Sequence, residues 1–242
     1  MPVSLANQVA LVVGASSGIG RAAAIGLARE GVKVMASARR AERLEQLKRE
    51  MLAERRVVEI HPADASRPEE MERLAEATRT KLGAIAIFVY ATGTNAPNRS
   101  MERLRPEIWN ELISVNLNGA YYSTRAVLPN MREAKSGHLI YIASISGLVP
   151  DVSGAAYQAS KRGLVGLAHA IRVEEKEHGI RTCVVCPGLV DTEILAKRPV
   201  QPTSEVLAKA LQPEDVGELV VSVAKLNPRV AIPEVQIMPT YL

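Results

Sequence analysis

No apolar run in this sequence approaches the roughly 18 residues that a membrane-spanning helix requires. The opening MPVSLANQVALVVGAS has no charged segment followed by a long apolar stretch and a cleavage site, so no targeting leader is expected and the expected location is the cytoplasm. Cysteine is limited to Cys183 and Cys186, inside the strand-like run Thr182–Pro187. Residues three apart on a strand point to opposite faces, so two buried thiols are expected rather than a disulfide or a shared metal. His61, His138, His169 and His178 lack metal-ligand spacing, and no metal site is expected. The net charge is +4, but the basic runs Arg39-Arg40 and Arg55-Arg56 are short and interleaved with acids, so nothing marks a nucleic-acid surface.

What is present is an alternation of short apolar runs with helical patterns. Val9–Val13, Val32–Ser37, Val57–Ile60, Ile85–Tyr90, Leu139–Ile142, Thr182–Cys186 and Val235–Ile237 read as strands. Between them lie helical stretches: Arg21–Glu30, Ala41–Arg55, Pro68–Lys81, a long region from Pro106 to about Arg132 broken in pattern at Asn118-Gly119, a helix bearing Tyr157 that runs to about His178-Gly179, and Pro213–Leu226. Strands alternating with helices throughout predict an α/β protein with a single doubly wound, parallel, seven-stranded sheet covered by helices on both faces. No repeat or linker interrupts the pattern, so one domain is expected over residues 1–242. Residues 189–212 are proline-rich and irregular, and read as a substrate lid.

Two stretches carry chemistry. The first is Gly14-Ala15-Ser16-Ser17-Gly18-Ile19-Gly20, between a strand and a helix. Glycines let the backbone approach a pyrophosphate, while the helix N-terminus supplies free N–H groups and a positive partial charge. The second is Tyr157-Gln158-Ala159-Ser160-Lys161, which puts a phenol and an ammonium one turn apart on one helix face. A free phenol has a pKa of ~10; a nearby ammonium favours its ionised form, and such a phenol can exchange a proton with a substrate oxygen.

With these placed, the chain resembles the short-chain dehydrogenase/reductase family over essentially its whole length. The resemblance rests on Gly14-x3-Gly18-x-Gly20, Asp64, Asn116, Ser144, Tyr157-x3-Lys161, and Pro187-Gly188 with Thr192. Ser144 stands 13 residues before Tyr157, the family's usual interval, which selects it over Ser146. The resemblance implies a Rossmann-like sheet, a nicotinamide cofactor and a catalytic set of Asn116, Ser144, Tyr157 and Lys161. In that scheme Tyr157 is the general acid/base, Ser144 holds the substrate oxygen, Lys161 lowers the tyrosine pKa and binds ribose, and Asn116 anchors a water relay. The cofactor set it implies is Gly14, Ser16, Ser17, Gly18, Ile19, Gly20, Arg39, Arg40, Asp64 at the adenine, Ala91, Gly93, Tyr157, Lys161, Pro187, Gly188, Val190 and Thr192. Two positions depart from the pattern: Val13 replaces the usual Thr, and Tyr90-Ala91-Thr92-Gly93 replaces the usual Asn-Asn-Ala-Gly that braces the central sheet.

Cofactor choice rests on Ala38-Arg39-Arg40. An acid after the second strand would hold the ribose hydroxyls of NAD and repel the extra phosphate of NADP. Here the position is Ala38, with Arg39 next to grip a phosphate, so NADP(H) is expected ahead of NAD(H). The ending Val230–Thr240 and Leu211–Val216 resemble the branch containing 3-hydroxy acid (serine-type) and clavulanate-type dehydrogenases. That points to a small ketone, aldehyde or 3-oxo acid and its alcohol. The alternatives are a 3-oxoacyl-carrier-protein reductase and a non-catalytic NADP(H)-sensing protein on the same fold. The resemblance also implies a homodimer through the helices around Trp109–Met131 and Gly154–His178, or a homotetramer completed by the last strand.

Overall fold

A computed structural model describes residues 3–241; the one-domain expectation also covers Met1, Pro2 and Leu242, which lie outside the described residues. The elements run β1 (Val9–Val13), α1 (Gly18–Arg29), β2 (Lys33–Ala38), α2 (Ala41–Ala53), β3 (Val58–Pro62), α3 (Pro68–Leu82), β4 (Ile85–Tyr90) and α4 (Pro106–Ile113). A single π-helical turn, Ser114–Asn118, joins α4 to α5 (Gly119–Ala134). Next come β5 (Gly137–Ile142), α6 (Ala155–Glu174), β6 (Ile180–Pro187), α7 (Ser204–Lys209), α8 (Pro213–Ala224) and β7 (Glu234–Ile237). All seven strands pair in parallel in the order β3-β2-β1-β4-β5-β6-β7, so the chain reverses its direction of travel between β1 and β4. Ligands of such sheets bind outside the carboxyl ends of the strands at that reversal.

Strand side chains alternate between two cores. Ala10 and Val12 face one core with α1, α2 and α8, where Leu27, Leu44, Leu47 and Val220 are buried. Leu11 and Val13 face the other with α3, α5 and α6, represented by Leu74, Val127, Met131 and Leu164. Burial on both sides explains why these strands read as unbroken apolar runs. Cys183 joins the first core and Cys186 the second; both are free and buried, and burial pushes each thiol up to about 12.

Three expectations change in detail. The helix bearing Tyr157 stops at Glu174, because Glu175 turns inward to pair with Arg132 and His178 before a 3-10 turn over Lys176–His178. Residues 189–212 are not irregular throughout: they hold a 3-10 turn at Glu193–Lys197, the helix α7, and a bridge between Val190 and Leu211. The pattern break near Asn118 is the π turn itself. It is pinned by Tyr90, whose fully buried hydroxyl donates to the Val115 carbonyl at 2.5 Å. Phe88, Tyr90 and Tyr141 pack ring to ring beneath it. Tyr90, the departure from the family's bracing motif, therefore supplies a brace of its own.

Gly119 makes this contact fit, since a Cβ there would strike the Tyr90 hydroxyl and fall 2.9 Å from the Ala65 carbonyl oxygen. Gly119→Ala is expected to cost about 1–3 kcal/mol by overpacking. At roughly 2–4 °C per kcal/mol the loss is visible as a lower Tm. Adding Tyr90→Phe should make the double variant less unstable than the sum of the two, which calorimetry checks; strict additivity would contradict the contact.

Candidate functional site

The carboxyl ends of β1, β4, β5 and β6 surround a cleft of about 490 Å³. Its floor at the nucleotide end is the turn after β1. Gly14 has φ +97°, and a Cβ on it would lie 2.7 Å from the Ala91 backbone; Gly18 has φ +53°, against Thr192. Only glycine adopts these conformations without strain, and the gap left is a backbone cradle. Helix α1 starts there with no side-chain cap and no acid in its first turn, so its N–H groups face the cleft unopposed. The cradle fits a dinucleotide pyrophosphate. Gly14, Ser16, Ser17, Gly18, Ile19, Arg39, Arg40, Asp64, Ala91, Gly93, Pro187, Gly188, Val190 and Thr192 all line the cleft. Gly20 is buried just behind it.

The two arginines after β2 do different things. Arg40 donates from Nε and Nη2 to the Ser16 hydroxyl (3.2 and 3.0 Å) and from Nη2 to that of Ser17 (2.7 Å). Its Nη1 reaches Glu193 at 2.8 Å, and Arg43 holds the other oxygen of that carboxylate, which the two guanidiniums keep near 2. Arg39 instead exerts its charge on Asp64, whose carboxyl is held below the usual range by the Ser66 N–H and hydroxyl, then by Arg39 and Arg67, against desolvation. Arg40 is the guanidinium that reaches the glycine turn, across the position that Ser17 leaves neutral, while Arg39 lines the cleft beside it.

At the other end lie Ser144, Tyr157 and Lys161. Ser144 ends the extension of β5, near enough to Tyr157 to lower the pKa of its phenol, and its Oγ donates to Ser146 Oγ at 3.1 Å. Ser146 and Ser153 converge on the Asp151 carboxylate, which makes a rigid bracket behind Ser144. Lys161 is buried at 3% exposure, donates to the Ile142 carbonyl at 3.0 Å, and stands 5.7 Å from the Tyr157 ring centroid. Burial lowers its pKa to about 8.

Burial pushes Tyr157 up to about 12, outweighing the hydrogen bond with Ser144 and the charges of Arg198 and Arg99. The Lys161 ammonium is turned toward the Ile142 carbonyl. Asn116 helps to hold the frame of the site. It is fully buried, accepts from the Thr94 N–H at 2.8 Å, and donates to the Thr94 carbonyl (3.0 Å) and Ser160 Oγ (2.9 Å). Its amide ties the loop after β4 to α6.

A family model described as short chain dehydrogenase matches residues 8–202. An uncharacterized oxidoreductase of Staphylococcus saprophyticus is 35% identical over 238 residues, 98% of this chain and 99% of the relative. The chain belongs to the short-chain dehydrogenase family. Among solved structures, a metagenomic short-chain oxidoreductase in complex with NADP superimposes with a TM-score of 0.85 at 33% identity, covering 99% of this chain and 100% of that one. A serine dehydrogenase in its closed form with NADP+ gives a TM-score of 0.86 at 30% identity, covering 95% and 94%.

Sequence reasoning missed several residues of this short-chain dehydrogenase site: Thr94, Ser160, the Ser146–Asp151–Ser153 bracket, Glu193 with Arg43, and Arg99. They lie in loops or on helix faces where no periodicity singles them out. No group of three or more His, Cys, Asp or Glu among the described residues is arranged to hold a metal, and none of their helices is long and apolar enough to cross a membrane.

Asn116→Ala would strand the Thr94 backbone groups and the Ser160 hydroxyl inside the protein. Roughly 2–5 kcal/mol of stability should be lost, read as a lower urea midpoint with an unchanged m-value. A midpoint equal to that of the unaltered protein would show that the tie contributes nothing.

Proposed function

We propose that this protein is an NADP(H)-dependent oxidoreductase interconverting a small ketone, aldehyde or 3-oxo acid and the corresponding alcohol or hydroxy acid. The observation that carries the reading is the Ser144–Tyr157 pair with buried Lys161 one helical turn on, at one end of a cleft whose other end is a glycine cradle. Ala38 in place of an acid, and Arg40 fixed over Ser16 and Ser17, support the phosphate-bearing cofactor. So do the NADP complexes of the two related structures.

The bound nicotinamide would supply or accept the hydride. This chain supplies the proton and the geometry. Ser144, steadied by the Asp151 bracket, holds the substrate oxygen, and Tyr157 gives it a proton in reduction or removes one in oxidation. A phenol near 12 is neutral at physiological pH and is therefore already the proton donor that reduction needs. Lys161, charged below about 8, would balance the phenolate left behind and hold the ribose hydroxyls of the cofactor. The exposed Trp109, Tyr121 and Val173 support a homodimer or homotetramer through α4, α5 and α6.

The deciding experiment is loss of NADPH absorbance against a panel of ketones, aldehydes and 3-oxo acids. Tyr157→Phe should lower turnover by roughly 10²–10⁴-fold with NADPH affinity retained. NADPH binding with no turnover on any compound would favour a cofactor sensor. Reductive kcat/KM should be flat through neutrality and fall as pH rises past about 8, where Lys161 loses its charge. Oxidation should instead climb with pH as more phenolate forms below about 12; identical profiles in both directions would contradict the assignment. Arg40→Leu should weaken NADPH binding roughly 10- to 100-fold. NADH binding should change far less, and an equal loss for both cofactors would remove Arg40 from the phosphate.

A further inference from the structure

Beyond Tyr157 the cleft is walled by three cations from two separate segments. Arg99, in the loop between β4 and α4, is half-buried and held in place twice: Nε donates to the Ala96 carbonyl at 3.0 Å and Nη2 to the Lys197 carbonyl at 2.8 Å. Lys197 and Arg198 come from the end of the 3-10 turn in the lid, and the Lys197 ammonium donates to Thr94 Oγ1 at 2.5 Å. The Arg198 guanidinium and Nη1 of Arg99 have no hydrogen-bond partner among the described residues. None of the three cations forms an ion pair there.

Two carboxylates stand near this wall, and neither forms an ion pair with it: the charge of Asp151 reaches Arg99, but its oxygens are taken by neighbouring serines, and Glu193 points away. Asp151 accepts from the Ser146 and Ser153 hydroxyls and the Ser153 N–H. Glu193 is drawn by Arg40 and Arg43 toward the nucleotide end. Burial and the repulsion of Arg198 hold the Arg99 pKa below its usual value against the opposing charge of Asp151, and both guanidiniums exert their charge on the Tyr157 phenol. Like charges brought together in a partly desolvated wall are unfavourable unless an anion joins them. A planar guanidinium with a free edge matches a carboxylate in bidentate geometry.

We propose that the substrate is a carboxylate, a small oxo acid or its hydroxy acid, whose carboxyl group is received by Arg99 and Arg198 while its carbonyl oxygen rests on Ser144 and Tyr157. This rests on the oxidoreductase reading and narrows its substrate class. Arg99 has a second consequence: by gripping the Lys197 carbonyl it couples anion recognition to the position of the lid.

The test compares acetoacetate with methyl acetoacetate, which keeps the ketone and removes the charge. The unaltered protein should favour the acid in kcat/KM by at least about tenfold, the worth of one charge-assisted contact. Arg99→Gln and Arg198→Gln should each lower the acid-to-ester ratio about tenfold or more, mainly through KM, and Arg99→Lys should recover part of it. Equal use of acid and ester, or a ratio unmoved by both Gln variants, would overturn the proposal and leave Arg99 as a brace between loop and lid. If neither compound is reduced and no other member of the carbonyl panel is either, the oxidoreductase reading is what fails. The anion site is then read separately from Tm in the presence of NADPH: a rise with acetoacetate, absent with the ester and lost in Arg99→Gln, supports it, and no rise sinks it.

Discussion

The close approach of the turn after β1 to the end of β4 is the constraint on which the site depends. Gly14 lies so near the Ala91 backbone that no side chain fits between them. Strands β1 and β4 are neighbours across the point where the winding reverses, so the connections leaving their carboxyl ends run to opposite faces of the sheet and leave a crevice between them. The same contact fixes where the chain goes next. From Ala91 it runs over Gly93, where a Cβ would stand 3.4 Å from Lys161 Nζ, and on to Thr94, which Asn116 clasps by both backbone groups. One backbone contact thus sets the nucleotide cradle, the lysine and the buried asparagine in a common frame.

Burial then decides the chemistry within that frame. The tyrosine and lysine are desolvated together, but in opposite senses: the acid becomes weaker and the ammonium becomes easier to deprotonate. Each shift moves its group toward the neutral form. For Tyr157 that favours proton donation, and for Lys161 it sets an upper limit to the pH range in which its charge is available. The Ser144 hydrogen bond works against the shift on the phenol, as do the guanidiniums of Arg99 and Arg198. Residues placed for an anionic substrate would therefore also tune the proton carrier.

Much of this was legible in the chain because local chemistry and tertiary role coincide. Val9–Val13 reads as a buried strand because it has a core on each side, and the spacing of Cys183 and Cys186 places them in different cores for the same reason. Gly14 and Gly18 announce a turn that only glycine can make. Tyr157 and Lys161 share a face by helical periodicity alone. What stayed illegible depends on contacts distant in sequence. Periodicity locates Tyr157 on a helix but is silent on the solvent it loses where it packs with Ala96 and Leu104 of the loop after β4. Arg39 and Arg40 are adjacent, and only the direction in which β2 exits decides which of them meets Ser16 and Ser17.

The π turn at Asn116 shows why one break in a pattern hid so much. An extra residue in one helical turn rotates every later residue of the helix about its axis, which reads in sequence only as disturbed periodicity. In the structure that rotation turns Asn116 inward to Thr94 and Ser160 and exposes the Val115 carbonyl to Tyr90. Tyr90 belongs to the segment that departs from the family's bracing motif, and its phenol spans from the sheet to the π turn. The asparagine, the departure and the altered helix are thus parts of one arrangement. A tyrosine long enough to reach Val115 makes the π turn a fixed element of the sheet edge, and the site inherits its rigidity from that anchor.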